Sequence, residues 1–164
     1  MKKLKVWQLV LGLLLVVGGT ALFIVAVSGG FGLGDLKASV EQEYQCEEKC
    51  ERDFIELTTP DYERMIAEKK SFVVFVDQGG CTTADRLRGY VLDFANSKGF
   101  KVSRIMFDDM KKTSLHDFVK YYPSVAIISR GKVIGFLRAD SDEDSDAYNK
   151  YDAFEIWMRK YLNF

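Results

Sequence analysis

Cys81 is the side chain of this sequence best placed for covalent chemistry. It follows the turn Asp77-Gln78-Gly79-Gly80 and opens a stretch with helical spacing, residues 82–97. A thiolate at a helix start faces backbone N–H groups without helical partners and the positive end of the helix dipole, and both stabilise it. Such a thiolate can attack a disulfide and form a mixed disulfide. The alternative is that Cys81 is a small apolar side chain buried in the core.

Cys46 and Cys50 form a second cysteine group upstream of Cys81. They can join in a structural disulfide, pack as two small apolar residues or bind a metal. Both precede the first predicted strand, whereas Cys81 follows the end of the second. In parallel strands these positions lie at opposite ends of the sheet, farther apart than the roughly 4.4–6.8 Å between Cα atoms that a disulfide requires. We therefore do not expect either of them to release Cys81 from a mixed disulfide.

Neither a metal site nor a cofactor is predicted. His116 is the single histidine, and one imidazole cannot supply the ligand sets of the common zinc hydrolases. The acidic residues 140–146 do not match a calcium loop, because Ser145 and Tyr151 stand where glycine and glutamate are required. This stretch is predicted to be a solvated loop before the last helix.

Length and composition indicate one folded domain with additional chain. The 164 residues are 48% apolar and 29% charged, which permits a packed core and excludes wholesale disorder. The net charge is −1, and the sequence offers no basic face. We therefore predict that the protein does not bind nucleic acid.

Residues 6–27 predict a transmembrane signal-anchor, because they contain no charged side chain and a helix of this length, about 33 Å, spans a bilayer core. A cleaved signal peptide is the alternative, although its apolar region is usually shorter. Three lysines within residues 1–5 predict a cytoplasmic amino terminus. The remaining chain then lies on the extracytoplasmic side of the cell membrane, where disulfides persist. Residues 28–34 are glycine-rich and are typical of a flexible linker.

The spacing of apolar residues predicts the elements that position Cys81. Residues 35–52 have apolar side chains four apart and predict a partly amphipathic helix, which could pack on the following domain, contact a partner or remain solvated. Beyond it the predicted order is βαβαβαββα. The first strands are expected to be parallel, and the last pair antiparallel around Arg130-Gly131. The predicted strands are 53–57, 72–76, 101–107, 124–129 and 132–137, and the predicted helices are 58–69, 82–97, 114–120 and 152–161.

This order and four short motifs resemble the thioredoxin superfamily over residues 53–164. The resemblance implies an α/β thioredoxin fold, a central mixed sheet flanked by helices, preceded here by one transmembrane helix. With its membrane segment the chain is similar to extracytoplasmic thioredoxin-like proteins of bacteria, including the bacteriocin-transport accessory type. The motifs are Phe72-Val73-Val74-Phe75-Val76, Cys81-Thr82-Thr83-Ala84, Tyr122-Pro123-Ser124-Val125 and Ser129-Arg130-Gly131-Lys132-Val133-Ile134.

The resemblance also implies roles for individual residues. Cys81 matches the nucleophilic cysteine, and Pro123 matches the proline that is cis in the family and lies against it. Ala84 stands where a resolving cysteine would be, and an alanine there would also result from a substitution made to trap mixed disulfides. The residues implied in substrate binding are Gly80, Thr82, Tyr122 and Ser124.

Two functions follow from Cys81 and Ala84. The first is a monothiol protein, possessing one half of a thiol–disulfide oxidoreductase site, that exchanges disulfides with or traps client proteins through Cys81. Its release would then need an external thiol. The second is a redox-inactive binding module that holds a partner protein at the membrane.

Overall fold

The computed structural model of the protein describes residues 37–46 and 53–164. The predicted transmembrane segment 6–27, the cytoplasmic residues 1–5 and the linker 28–34 lie outside the described residues. Within the described ranges, no helix is both long and apolar enough to cross a membrane.

A five-stranded mixed sheet forms the centre of the fold, with the strand order β1-β3-β2-β4-β5. β1 and β2 both pair with β3 in parallel, whereas β4 runs antiparallel to β2 and β5. This confirms the predicted strand directions: helical crossovers return the chain in the same direction, and a two-residue turn reverses it. The strands are β1 Ile55–Glu56, β2 Phe72–Asp77, β3 Ser103–Met106, β4 Ser124–Ser129 and β5 Lys132–Phe136.

In residues 37–46 and 53–164 the chain forms five α-helices: α1 Thr59–Ala67, α2 Thr82–Lys98, α3 Phe107–Met110, α4 Ser145–Asn149 and α5 Tyr151–Tyr161. α1 begins with a capping box, in which the Thr58 hydroxyl accepts from the Asp61 N–H and the Asp61 carboxylate accepts from the Thr58 N–H. α2 ends at Gly99, whose φ of 70° lies in the left-handed region that glycine adopts without strain. Both boundaries fall where the sequence places them.

The core lies between the centre of the sheet and the helices. Every residue of β2 is buried, because this strand has neighbours on both sides and is covered on both faces. α2 buries Leu87, Val91 and Phe94, and α5 buries Phe154 and Met158. The ring of Phe94 meets that of Phe154 edge-on, with centroids 6.2 Å apart.

The predicted helix over residues 35–52 is wrong where the structure describes it, residues 37–46. This segment is largely extended, with one 3-10 turn at Gln42–Tyr44. Ala38 pairs with Leu162 in parallel, and Gln45 pairs with Phe100 in antiparallel. The burial of both Ala38 and Val40 shows a period of two rather than four. Backbone hydrogen bonds to the folded domain replace helical ones, which local spacing alone could not reveal.

The predicted helix 114–120 is also shorter than expected. The structure has a 3-10 turn at Ser114–Asp117, which follows the four-residue helix α3. From Phe118 the chain turns towards Pro123 and enters β4.

Candidate functional site

The turn between β2 and α2 presents Cys81. Gly80 has a φ of 77° and lets the chain reverse tightly into the helix. Cys81 is the N-cap of α2 with extended backbone angles, and its carbonyl accepts from the Asp85 N–H at 3.0 Å. Its side chain makes no capping hydrogen bond. The thiol is free and half-buried, so it lies beside the first N–H groups of the helix without being closed off from solvent.

A cis peptide bond joins Tyr122 to Pro123 at the entry to β4. Pro123 is buried, while 41% of Tyr122 remains exposed. Both residues line the same cleft as Cys81, a space of about 530 Å³. The structure therefore brings together the predicted nucleophile, the predicted cis-proline and one predicted substrate-binding residue.

The remaining predicted binding residues lie differently. Thr82 is exposed and does not line the cleft, whereas its neighbour Thr83 does. Ser124 is fully buried, and its hydroxyl donates to the Leu137 carbonyl at 2.7 Å. That hydroxyl is used in joining β4 to the chain after β5. Gly80 contributes backbone shape and no side-chain contact.

The acidic stretch 140–146 is largely exposed, as predicted, and part of it lines this cleft. It contains a 3-10 turn at Asp142–Asp144 and leads into α4. Asp140, Ser141 and Asp142 line the wall of the cleft. The sequence reveals the charge of this stretch but not its position, because nothing local in a run of acids indicates where it packs.

Tyr148 of α4 holds the acidic stretch in place. Its hydroxyl lies 2.8 Å from the Pro123 carbonyl oxygen and 3.1 Å from that of Leu137, and it donates to them. Burial, and then the negative charges of Asp144 and Asp140, raise the pKa of this hydroxyl. The phenol therefore stays protonated at neutral pH and ties α4 to the loop that carries the cis bond.

A buried ion-pair network braces the turn from the other side. Asp77, the last residue of β2, is 1% exposed. Its carboxylate accepts from Arg88 of α2 at 2.9 and 3.1 Å and from the Gln78 N–H at 2.8 Å. Arg104 of β3 adds a contact at 3.4 Å. Burial alone would lower the pKa of Arg88, but the hydrogen bonds and charges of Asp77 and Asp85 outweigh it and raise that pKa. The network spans the residues on both sides of Gly79-Gly80-Cys81.

No resolving thiol lies beside Cys81 among the residues described. Ala84 occupies the first turn of α2 and is fully buried. Cys46 is disulfide-bonded, and its N–H donates to the carbonyl of Gly99 at 2.8 Å, at the far end of α2. A helix of this length, Thr82–Lys98, spans about 25 Å, far beyond disulfide reach. Cys50, the predicted partner of Cys46, lies outside the described residues, so that pairing stays a prediction.

In residues 37–46 and 53–164, no group of three histidine, cysteine or carboxylate side chains could hold a metal ion. The Nδ1 atom of His116 lies 3.2 Å from the Val119 carbonyl, within its own turn.

Comparisons with known proteins show the fold. No protein-family model matches the chain, and no curated protein sequence does. Among solved structures, a mutant thioredoxin from Halobacterium salinarum NRC-1 superposes with a TM-score of 0.52 at 11% identity, covering 69% of this chain and 94% of that one. The oxidised thioredoxin from Plasmodium falciparum gives a TM-score of 0.51 at 10% identity, covering 68% of this chain and 100% of that one. The chain therefore has a thioredoxin fold, as the order of its elements and its motifs predict.

Proposed function

We propose that the chain is a membrane-anchored, extracytoplasmic thioredoxin-fold protein that forms mixed disulfides with client proteins through Cys81. The observation that carries this proposal is a free thiol at the start of α2, in the same cleft as cis-Pro123. The cleft, about 530 Å³, has the size of spaces that bind ligands in proteins. It is open to a peptide segment from outside.

The chemistry is a single exchange. The Cys81 thiolate attacks one sulfur of a client disulfide, a new S–S bond forms, and the other client sulfur leaves as a thiolate that takes a proton from solvent. Cys81 stands at the N-cap of α2, the end of a helix at which negative charge is favoured. Because Ala84 carries no sulfur, release requires a second exchange with an external thiol, either a small molecule or a partner protein.

The cellular location rests on the sequence pattern and on one covalent feature. Residues 6–27 are the membrane anchor, with residues 1–5 in the cytoplasm. The disulfide at Cys46 supports an oxidising compartment for the domain. The resemblance to bacterial extracytoplasmic proteins of the bacteriocin-transport accessory type also favours an extracytoplasmic location for the domain.

Trapping tests the proposal directly. The full chain is isolated from cells without reductant after thiols are blocked by alkylation, and adducts are separated on non-reducing gels. We expect adducts that dithiothreitol removes and that Cys81→Ser abolishes. The matched control Cys46→Ser/Cys50→Ser should retain them. If neither client adducts nor an adduct with bis(2-hydroxyethyl) disulfide forms at Cys81, disulfide exchange is not its function.

A redox-inactive binding module is the second candidate. It is favoured by the buried Ala84, which leaves the site without a resolving thiol, and by Tyr121 and Tyr122, which are 56% and 41% exposed beside the cleft. A Cys81→Ser protein that keeps its cellular function would support this candidate. Conversely, Ala84→Cys places a second thiol three positions after Cys81 and should give a dithiol that reduces insulin, provided that the thiol site is intact.

A further inference from the structure

The Cys81 cleft is lined by acidic and aromatic side chains, both of which attract positive charge. Asp140 and Asp142 of the acidic stretch line it. Their neighbours Glu143 and Asp144 share one cation, Arg138, at 2.6 and 3.3 Å. Within the part of the chain that the structure describes, no ion pair involves Asp140 or Asp142. Two carboxylates thus face the cleft without a counter-charge of their own.

The neighbouring bases do not cancel this charge. Arg86 of α2 contacts the lining residue Asn149, with its Nη1 2.7 Å from Oδ1, and it is one cation against two carboxylates. Lys150 pairs with Asp146 at 3.0 Å.

Tyr122 contributes an aromatic side chain to the same cleft. The ring of Tyr122 packs against Phe107 with centroids 4.7 Å apart, while 41% of Tyr122 stays exposed. The face of an aromatic ring carries negative potential and attracts ammonium and guanidinium groups. A cation entering the cleft would therefore find both carboxylates and an aromatic side chain among the lining residues.

We infer that Asp140 and Asp142 select the clients of Cys81, favouring peptide segments with lysine or arginine close to the reactive disulfide over neutral or acidic ones. This inference rests on the proposed disulfide exchange. The carboxylates raise the local concentration of cationic disulfides next to the thiol and repel anionic ones, which changes the rate of encounter. They take no part in the bond exchange, so they determine specificity and are not catalytic.

Small disulfides of known charge test the inference. The full chain in a nonionic detergent is mixed with cystamine, which is dicationic, bis(2-hydroxyethyl) disulfide, which is neutral, or 3,3′-dithiodipropionate, which is dianionic. Mass spectrometry measures the rate of mixed-disulfide formation at Cys81. The ratio of the cystamine rate to the dithiodipropionate rate is then compared between variants, which removes the intrinsic reactivities of the reagents.

We expect the Asp140→Asn/Asp142→Asn double variant to lower this ratio about tenfold at low ionic strength. The control Asp53→Asn/Glu68→Gln removes the same charge at residues that precede β1 and β2, at the opposite end of these strands from Cys81, and should leave the ratio unchanged. In 1 M salt, where the Debye length is about 3 Å, the wild-type ratio should approach that of the double variant.

The outcomes separate the two proposals. If Cys81 reacts with the neutral disulfide but the ratio is the same in the wild type and the double variant, the charge selection is wrong and disulfide exchange stands. If no reagent forms an adduct at Cys81 while the protein is folded, both proposals are overturned.

Discussion

The two ends of helix α2 have similar backbone features but differ in the state of the cysteine beside them. A left-handed glycine flanks each end, Gly80 before Cys81 and Gly99 at the C-cap. At the carboxyl end, Gly99 donates back into the helix and its carbonyl accepts from Cys46, whose sulfur is in a disulfide. At the carboxyl end the backbone groups are hydrogen-bonded and the nearby sulfur is oxidised. At the amino end the Cys81 side chain makes no capping hydrogen bond and its sulfur is a free thiol.

The comparison explains how one helix can be both an anchor and a reactive site. The carboxyl end joins the 37–46 segment to the domain through the Gln45–Phe100 bridge and is packed by aromatic rings, with Phe94 edge-on to Phe100 at 6.1 Å. The amino end faces a cleft.

The largest effect should come from replacing the cysteines near each end of α2 with serine. Cys81→Ser should abolish adduct formation with bis(2-hydroxyethyl) disulfide completely. Cys46→Ser/Cys50→Ser should preserve adduct formation, and if these two cysteines pair as the sequence predicts, loss of their short disulfide loop should destabilise the fold by about 2 kcal/mol. Mass spectrometry of the adduct and urea unfolding measure the two effects. An adduct that survives in Cys81→Ser would contradict the assignment of chemistry to the amino end.

The second-largest effect is expected from a substitution in the ion-pair network that braces the amino end of α2. Asp77→Ala removes a carboxylate that is 1% exposed and leaves Arg88 and Arg104 without their shared partner, so we expect a loss of roughly 2–3 kcal/mol in the free energy of unfolding. Glu155, which lies 3.6 Å from Lys98 at the carboxyl end, is the comparison. Because that pair is partly exposed to solvent, Glu155→Gln should change the midpoint of urea unfolding far less. Equal losses would show that the two ends are braced alike.

The two glycines provide a matched pair with a smaller effect. A Cβ at either Gly80 or Gly99 would meet no atom within 4 Å, so an alanine costs only the left-handed backbone, about 1 kcal/mol at each position. Urea unfolding should give similar losses for Gly80→Ala and Gly99→Ala. The iodoacetamide alkylation rate of Cys81 should change in Gly80→Ala alone, since only that turn positions the thiol. A similar change in Gly99→Ala would mean that the ends are coupled.

The smallest expected effects compare two buried tyrosines. Tyr148→Phe leaves the Pro123 carbonyl without its donor and should cost about 1 kcal/mol. Tyr44 of the 37–46 segment donates only to the Met65 sulfur, at 3.6 Å, and since thioether sulfur is a weak acceptor, Tyr44→Phe should cost below about 0.5 kcal/mol. Urea unfolding at pH 8 measures both. A larger loss at Tyr44 would reverse the ranking.

The same pair predicts how stability depends on alkaline pH. Burial raises the pKa of Tyr44 to about 12 and also raises that of Tyr148. A tyrosine whose folded pKa exceeds its unfolded value, near 10, contributes stability that is complete below about pH 10 and declines as the pH rises towards the folded pKa. Between about pH 9 and pH 11, each phenylalanine variant should therefore lose less stability than the wild type.

Much of the fold was predictable because its signals are local. The continuous apolar run of β2, the capping box at Thr58 and the helical stripe of α2 each depend on neighbouring residues, and the structure confirms them. The position of Cys81 at a helix start follows from the glycine turn alone. The cis bond at Pro123 followed from resemblance, because an X-Pro bond by itself does not reveal its isomer.

The predictions that failed share one cause: they missed contacts between residues that are far apart along the chain. The 37–46 segment has side chains at helical spacing, yet its hydrogen bonds go to Ser71, Gly99 and Tyr161. The acidic stretch 140–146 is exposed, as predicted, but its local sequence did not reveal that Asp140 and Asp142 line the cleft of Cys81. Ser124 seemed available to a substrate, but its hydroxyl is bound to Leu137.

The sequence by itself determined the order and directions of the five strands, the glycine-built turn before Cys81 and the absence of sulfur at Ala84. The resemblance added the cis-prolyl loop. Only the tertiary structure decided that the two carboxylates without ion-pair partners in the described part of the chain share the cleft of that thiol and that the Asp77 network braces its turn. The physical reason is that periodicity and capping act over a few residues, whereas the walls of a cleft are made by segments whose contacts form only when the whole sheet has assembled.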